Sequence, residues 1–304
     1  MYSYYKLEQK LNKKKMYISD LTSALGISSR TIARMNKGEK VRDDVLSKIA
    51  KYLKCSKEDL FDEVSSNKIL QQLRDEKSIK MKGMLYHKLQ IVMTYNSNHI
   101  EGSKLTQDQT KMIFETRTLF SSDEILVDDI IETSNHFRAI DYIIDTAEEE
   151  LTEDIIKHIH YILKCNTKDS SISWFNVGDY KQMPNEVGNM KTTNPENVPK
   201  EMKKLLEKYN NKKEITFSDI IDFHSQFEHI HPFQDGNGRV GRLIAFKECL
   251  KNNIIPFIIL DEKKAFYYRG LQNYNKEKGW LLDTCLDGQD EFKKILDEFE
   301  INNN

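Results

Sequence analysis

The chain has 304 residues, of which 38% are apolar and 31% charged, with only 12 glycines and 5 prolines. That length accommodates two domains, and the scarcity of Gly and Pro favours helices over large sheets or long loops. Charge is uneven: residues 1–65 carry 14 Lys+Arg against 9 Asp+Glu, while the remainder carries 32 against 39, a basic head on an acidic body that suggests a nucleic-acid role for the head. The cysteines, Cys55, Cys165, Cys249 and Cys285, lie far apart without C-x-x-C spacing. This pattern disfavours a zinc site or disulfide framework and reads as free thiols in a reducing cytosol. No secretory h-region opens the chain, and the longest apolar stretch, Ile254 to Leu260, is short and contains Pro256. The expectation is a cytoplasmic protein with no membrane partner.

From the N-terminus, residues Ile18 to Gly38 read as helix, turn, helix. Ser19 is placed to cap a short helix with Leu21, Ala24 and Leu25 inward. Gly26 supplies a left-handed turn, Ile27 plugs the corner, and Ser28 caps a second helix with Ile32 and Met35 inward. Val45, Ile49, Ala50 and Leu53 make a third amphipathic helix, and Leu60 and Phe61 close the small core. The spacing resembles the helix-turn-helix of Cro/repressor-like regulators over about residues 6–63. The resemblance implies that Ser29, Arg30, Thr31 and Arg34 face the major groove, with Lys37 and Lys40 near phosphates. The alternative is a helical bundle that contacts protein instead. One such head reads only a short half-site, so DNA affinity calls for a homodimer.

Residues 62–70 read as a short polar linker, dividing the chain into domains 1–65 and 66–304. Helices are expected from about Asp129 to Ile140 and from Thr152 to Leu163. Ser218 is placed to cap a helix carrying Ile220, Ile221, Phe223 and Phe227, which delivers His231 to a loop. His224, His229 and His231 do not share a metal-binding spacing, and the first two read as packing residues.

Residues 231–242, His-Pro-Phe-Gln-Asp-Gly-Asn-Gly-Arg-Val-Gly-Arg, concentrate the chemistry. Gly236, Gly238 and Gly241 let the backbone turn and expose its N–H groups. A helical apolar pattern follows, and a glycine-rich loop feeding a helix start favours an anion. Arg239 and Arg242 sit three apart on one face, with forks that match phosphate oxygens. Asp235 is a hard oxygen ligand suited to Mg²⁺ between phosphates, and His231 can accept a proton from an attacking hydroxyl.

This string resembles the signature of the Fic (Fic/DOC) family, His-Pro-Phe-x-Asp/Glu-Gly-Asn-Gly-Arg-x-x-Arg, at every fixed position. The resemblance extends more weakly from about Leu70 onward. It implies an all-α helical core with a short β-hairpin flap, and transfer of AMP from ATP, with Mg²⁺, to a hydroxyl of a target protein. By that resemblance His231 deprotonates the hydroxyl and Asp235 holds Mg²⁺. Gly236, Asn237, Gly238 and Arg239 form the α/β-phosphate cradle, Arg242 meets the γ-phosphate, and Phe233 anchors the loop. Ser97-Asn-His-Ile-Glu-Gly resembles the inhibitory motif found beside many such cores. It implies that Ser97, Glu101 and Gly102 form a brake in which the Glu101 carboxylate occupies Arg242. In relatives of this arrangement the same Glu also positions water for AMP removal. Gly178 to Met190 resembles the flap, although Lys181 stands where relatives usually carry Arg. Val187, Gly188, Asn189 and Met190 are then nucleotide contacts. Phe266 to Asn275 resembles the adenosine wall, with Tyr267, Tyr268 and Asn275 as contacts. The rival readings are a nucleotide-sensing, DNA-binding transcription regulator and a transferase of UMP or phosphocholine.

Overall fold

The structure is a computed structural model that describes residues 2–36, 40–63, 67–122, 124–187 and 190–301. The chain divides into two compact units, Met1–Ser66 and Asn67–Asn304. Both are helical, each with one two-stranded ribbon among its described residues.

In the first unit, β1 (Tyr2–Ser3) pairs antiparallel with β2 (Asp62–Glu63). Between them run α1 (Tyr5–Asn12), a 3₁₀ turn (Ile18–Asp20), α2 (Leu21–Leu25), α3 (Ser29–Asn36) and α4 (Asp43–Leu53). Leu7, Leu11, Leu21, Ile27, Ile32, Met35, Ile49 and Leu60 close one core. Gly26 adopts φ +62° at the end of α2, the left-handed conformation that glycine takes without strain. Ser28 Oγ accepts the Thr31 N–H at 3.2 Å and so caps α3. Ser19 caps nothing: it lies inside the 3₁₀ turn, where Asp20 Oδ2 accepts the Tyr17 N–H instead. Residues 62–70 are not all linker, because Asp62 and Glu63 belong to the ribbon and the next helix starts at Lys68.

The second unit contains α5 (Lys68–Ser78), α6 (Leu85–Ile100), α7 (Gln107–Thr116), α8 (Val127–Thr146) and α9 (Glu153–Lys164). A ribbon of β3 (Glu186–Val187) and β4 (Met190–Lys191) follows, then α10 (Val198–Asn210), α11 (Phe217–Ile230), α12 (Asn237–Lys251), α13 (Lys264–Asn273) and α14 (Gly279–Glu298). Helix α12 is the axle. Val240, Leu243, Ile244, Phe246 and Leu250 enter the large core, and Ala245 and Cys249 enter a second one. A helix buried on all sides carries apolar residues all round rather than a stripe. Helices α6, α8, α9 and α11 pack around it. Lys247 is buried on this axle, and its ammonium donates to Glu149 O at 2.6 Å and Glu248 Oε1 at 3.1 Å. Thr216, not Ser218, caps α11, in a reciprocal box with Asp219. No helix among the described residues is long and apolar enough to cross a membrane.

Candidate active site

The site is the turn between α11 and α12. His231 ends α11 in the left-handed region (φ 52°, ψ 62°), and its N–H donates to Phe227 O at 2.9 Å. A β-carbon is disfavoured there, so surrounding contacts must hold the turn. Phe233 supplies them: it is fully buried and stacks on His160, with ring centroids 4.0 Å apart and planes 9° from parallel. The loop then closes on itself. Asn237 Oδ1 accepts the Phe233 N–H at 2.8 Å, and Asn237 Nδ2 donates to Phe233 O at 2.9 Å. The Asn237 side chain is therefore committed to bracing the loop, and only its backbone amide is left for a cradle. Gly236 takes φ +80° as α12 begins.

His231 is held neutral. Burial, then the nearby Lys181 charge, lowers its pKa to about 4. Its Nδ1 faces Glu228 O at 3.4 Å. A neutral imidazole that donates from one nitrogen offers a lone pair on the other. Lys181 is itself buried, and that burial lowers its pKa to about 8. It donates to Asn185 Oδ1 at 2.6 Å and Thr192 Oγ1 at 2.7 Å, while Asn185 Nδ2 donates to Phe233 O at 3.0 Å. The base of the ribbon is thus tied to the loop. Val187 pairs with Met190 across the ribbon, whereas Gly188 and Asn189 lie outside the described residues.

Both arginines of the string are buried and ion-paired. Arg239 bonds Glu132 of α8 through Nη1 and approaches Asp235 Oδ2 at 3.4 Å. Arg242 donates through Nη2 to Glu101 Oε1 at 2.7 Å and to Ser97 O at 2.9 Å, and through Nε to Ser97 Oγ at 3.1 Å. Glu101 and Gly102 follow the end of α6, Gly102 with φ +104°. A β-carbon on Gly238 would collide with Glu101 Oε1 and sit 3.0 Å from Arg242 Nη1. The Glu101 carboxylate therefore lies against the glycine-rich start of α12. Arg239 Nε and Arg242 Nη1 are buried without a hydrogen-bond partner. Buried orphan donors are costly and mark a place for an acceptor.

Two further groups complete the site. Asp235 has its pKa pushed well down; burial opposes this, and the Arg239 and Lys164 charges outweigh it. Its side chain stays 52% exposed while Oδ2 accepts from Lys164 at 2.8 Å. Magnesium in phosphate sites takes one or two carboxylates plus substrate oxygens, so this half-exposed aspartate fits such an ion. Glu228 sits beside Gly241, where burial and then the Glu101 charge raise its pKa to about 8.

Of the expected adenosine contacts, Tyr267 departs from expectation. It is 0% exposed, its OH lies 2.7 Å from His224 Nε2, and its ring lies under Arg242. It is a core residue that supports the arginine, because its side chain reaches from α13 into the core shared with α11, α12 and α14. Tyr268 is half-buried and donates to Ile100 O at 3.2 Å, and Asn275 is exposed. Lys164, Glu132, Glu228 and the role of Asn185 were not anticipated. In the first unit, Ser29, Arg30 and Arg34 are exposed on α3, Thr31 is half-buried, and Arg34 donates to Lys40 O at 2.8 Å; Lys37 lies outside the described residues.

A helical core around one buried axle, entered by a His-Pro-Phe turn and a glycine-rich helix start, defines the class. Residues 150–248 match the Fic/DOC family, and residues 6–64 match the Cro/C1-type HTH DNA-binding domain. The chain carries a Fic/DOC family domain preceded by a Cro/C1-type helix-turn-helix domain. It is 26% identical over 187 residues to the protein adenylyltransferase Fic of Drosophila erecta, covering 60% of this chain and 36% of that protein. The chain thus spans little more than a third of that relative's length. A solved Fic-domain signaling protein from Bacteroides thetaiotaomicron superposes with a TM-score of 0.60 at 24% identity, over 75% of this chain and 94% of that one. Fic-1 (residues 134–508) from C. elegans superposes with a TM-score of 0.61 at 17% identity, over 96% of this chain and 84% of that one. At these identities the two structures show a shared fold.

Proposed function

We propose that the chain is a protein adenylyltransferase that moves AMP from ATP to a hydroxyl side chain of a target protein, restrained by Glu101. The observation that carries the reading is a neutral His231 in the same loop as an anion-accepting helix start whose buried arginines have unpartnered N–H groups. His231 takes the proton from the target hydroxyl, and the hydroxyl oxygen attacks the α-phosphorus. The bond from the α-phosphorus to the bridging oxygen breaks, and pyrophosphate leaves. Backbone amides of Gly236 to Arg239 stabilise the charge that develops on the phosphoryl oxygens. Arg242 receives the γ-phosphate once Glu101 withdraws. Asp235 is the residue that would hold Mg²⁺, which supplies charge neutralisation between phosphates. The ribbon offers the target a strand edge. The same Glu101 placement is compatible with removal of AMP. The N-terminal head is proposed to bind DNA, as its helix-turn-helix match supports.

Labelled ATP incubated with the intact protein and with Glu101→Gly tests the transfer. AMP incorporation that rises in the variant supports it. No incorporation by either protein, with ATP still bound, favours a nucleotide-sensing regulator. Parallel UTP and CDP-choline reactions separate the other donors.

A further inference from the structure

Lys164 is the last residue of α9 and is 2% exposed. Its ammonium meets three carboxylates from three elements: Glu132 Oε1 of α8 at 2.5 Å, Asp235 Oδ2 of the loop at 2.8 Å, and Asp169 Oδ2 at 3.1 Å. The lysine cannot drift, because Asn135 Nδ2 donates to both Leu163 O and Cys165 O and pins the end of α9 to α8. Its stem also packs under the loop, with Cγ and Cδ 3.7 Å from where a Gly236 β-carbon would stand. A hard cation surrounded by carboxylate oxygens is the arrangement of a metal site, except that here the cation is tethered to the chain.

We propose that Lys164 is a positioning residue that acts as a built-in competitor for divalent metal at Asp235. It holds Oδ2 of that carboxylate and cancels one negative charge of the cluster. The inference rests on Asp235 being the metal-holding residue of the transfer reaction. The cluster holds Lys164 and Arg239 against Glu132, Asp169 and Asp235, a net charge of −1, which becomes −2 without the lysine. A divalent ion feels that change twice over. Glu132 has the opposite effect. It pairs with both Lys164 and Arg239, so its charge offsets part of theirs beside Asp235.

The test is a titration of the nucleotide-free full chain with Mn²⁺, following the free ion by its EPR signal. Lys164→Met is expected to tighten Mn²⁺ binding by about tenfold, the size of effect a unit charge has on a nearby divalent ion in a hydrated site. Lys164→Arg, which keeps the charge, stays within about twofold of wild type, and Glu132→Gln binds more weakly. Adding Asp235→Asn to Lys164→Met removes the gain. Equal or weaker binding by Lys164→Met overturns the inference, as does a gain that survives Asp235→Asn. Should Lys164→Met not fold, Lys164→Gln takes its place: tighter Mn²⁺ binding supports the inference, and unchanged or weaker binding overturns it. The titration involves no reaction, so a failure of AMP transfer in the labelling assay leaves this result to stand on its own.

Discussion

The Arg242 guanidinium donates to the Glu101 carboxylate at 2.7 Å, joining the second turn of α12 to the end of α6 across 141 residues of sequence. Burial disfavours the Arg242 charge, and Glu101 more than restores it. Ser97 holds the same guanidinium from its Nε side. One arginine thus answers to two residues of the segment proposed as a brake, and the phosphate it is proposed to bind must compete with them.

Glu101→Gly is expected to raise AMP incorporation with ATP and Mg²⁺. A charge-assisted hydrogen bond contributes about 1.5–3 kcal/mol, so its loss shifts productive ATP binding by roughly tenfold to a hundredfold. Glu101→Gly combined with Arg242→Ala loses most of that gain, since the freed arginine is what the γ-phosphate uses. Intact-mass measurement of incorporated AMP checks all three proteins. Equal incorporation by wild type and Glu101→Gly removes Glu101 from the brake.

His231→Ala, made in the Glu101→Gly background, is expected to lower transfer by about 10²–10⁴ while ATP still binds. The pH profile carries a second signature. Because the pKa of His231 is lowered to about 4, the base form persists well below neutrality, and the acid limb of the rate lies near pH 4 to 5. Lys181→Met removes a charge that helps keep His231 neutral, so the limb moves up in pH. A limb at the same pH in both proteins would exclude Lys181 as a cause.

Stability carries its own pH dependence. His136, His160 and His224 are buried with pKa values lowered to about 3, chiefly by burial, and His231 is lowered to about 4. An unfolded histidine titrates near 6.5. Between those values the unfolded chain binds more protons, so stability falls as pH drops from about 6.5 toward 4. Each such histidine costs about 1.4 kcal/mol per pH unit in that window. Thermal melts from pH 7.5 to 4.5 should show a steep fall in Tm that starts below pH 6.5, and a flat Tm to pH 5 would contradict it.

The helix-turn-helix head is expected to bind DNA with a strong salt dependence, because Lys and Arg contacts to phosphate release counterions. Arg30, exposed on α3, is the residue to change. Arg30→Ala should weaken retention of genomic fragments in a mobility-shift assay at low salt. Absence of any retained fragment for the wild-type chain would point to a protein-contact role.

The sequence disclosed the dense, local features most clearly. His231 to Arg242 carries its chemistry in twelve consecutive residues, and Gly26 and Ser28 announce their turn and cap through backbone rules alone. What escaped notice depends on contacts between distant segments. Lys164 meets Asp235, and Glu132 meets Lys164 and Arg239, only because α8 and α9 pack beside the loop, and neither lies in a recognisable motif. Tyr267 and Tyr268 are adjacent in sequence, yet one is buried beneath Arg242 and the other half-buried against α6. Helical spacing cannot say which of two neighbours faces a ligand. Asn237 reads as a cradle residue, and its side-chain amide also pairs with both the N–H and the C=O of Phe233, a use visible only once the loop is closed. Thr216 and Ser218 offer equal capping chemistry, and Asp219 decided between them by completing the box at Thr216.

The missing β-carbon of Gly238 has a kinetic consequence. Glu101 Oε1 fills the space that a side chain there would take, so in the proposed reading the brake and the nucleotide contend for a single volume in an otherwise fixed loop. Glu101 then behaves as a tethered competitive inhibitor with a fixed effective concentration. Such inhibition is surmountable. Raising ATP should recover the turnover of the unrestrained enzyme, with a hyperbolic response, a higher half-saturating concentration and an unchanged maximum. The cell's nucleotide level, rather than a separate activator, would then set how often the restraint is lifted.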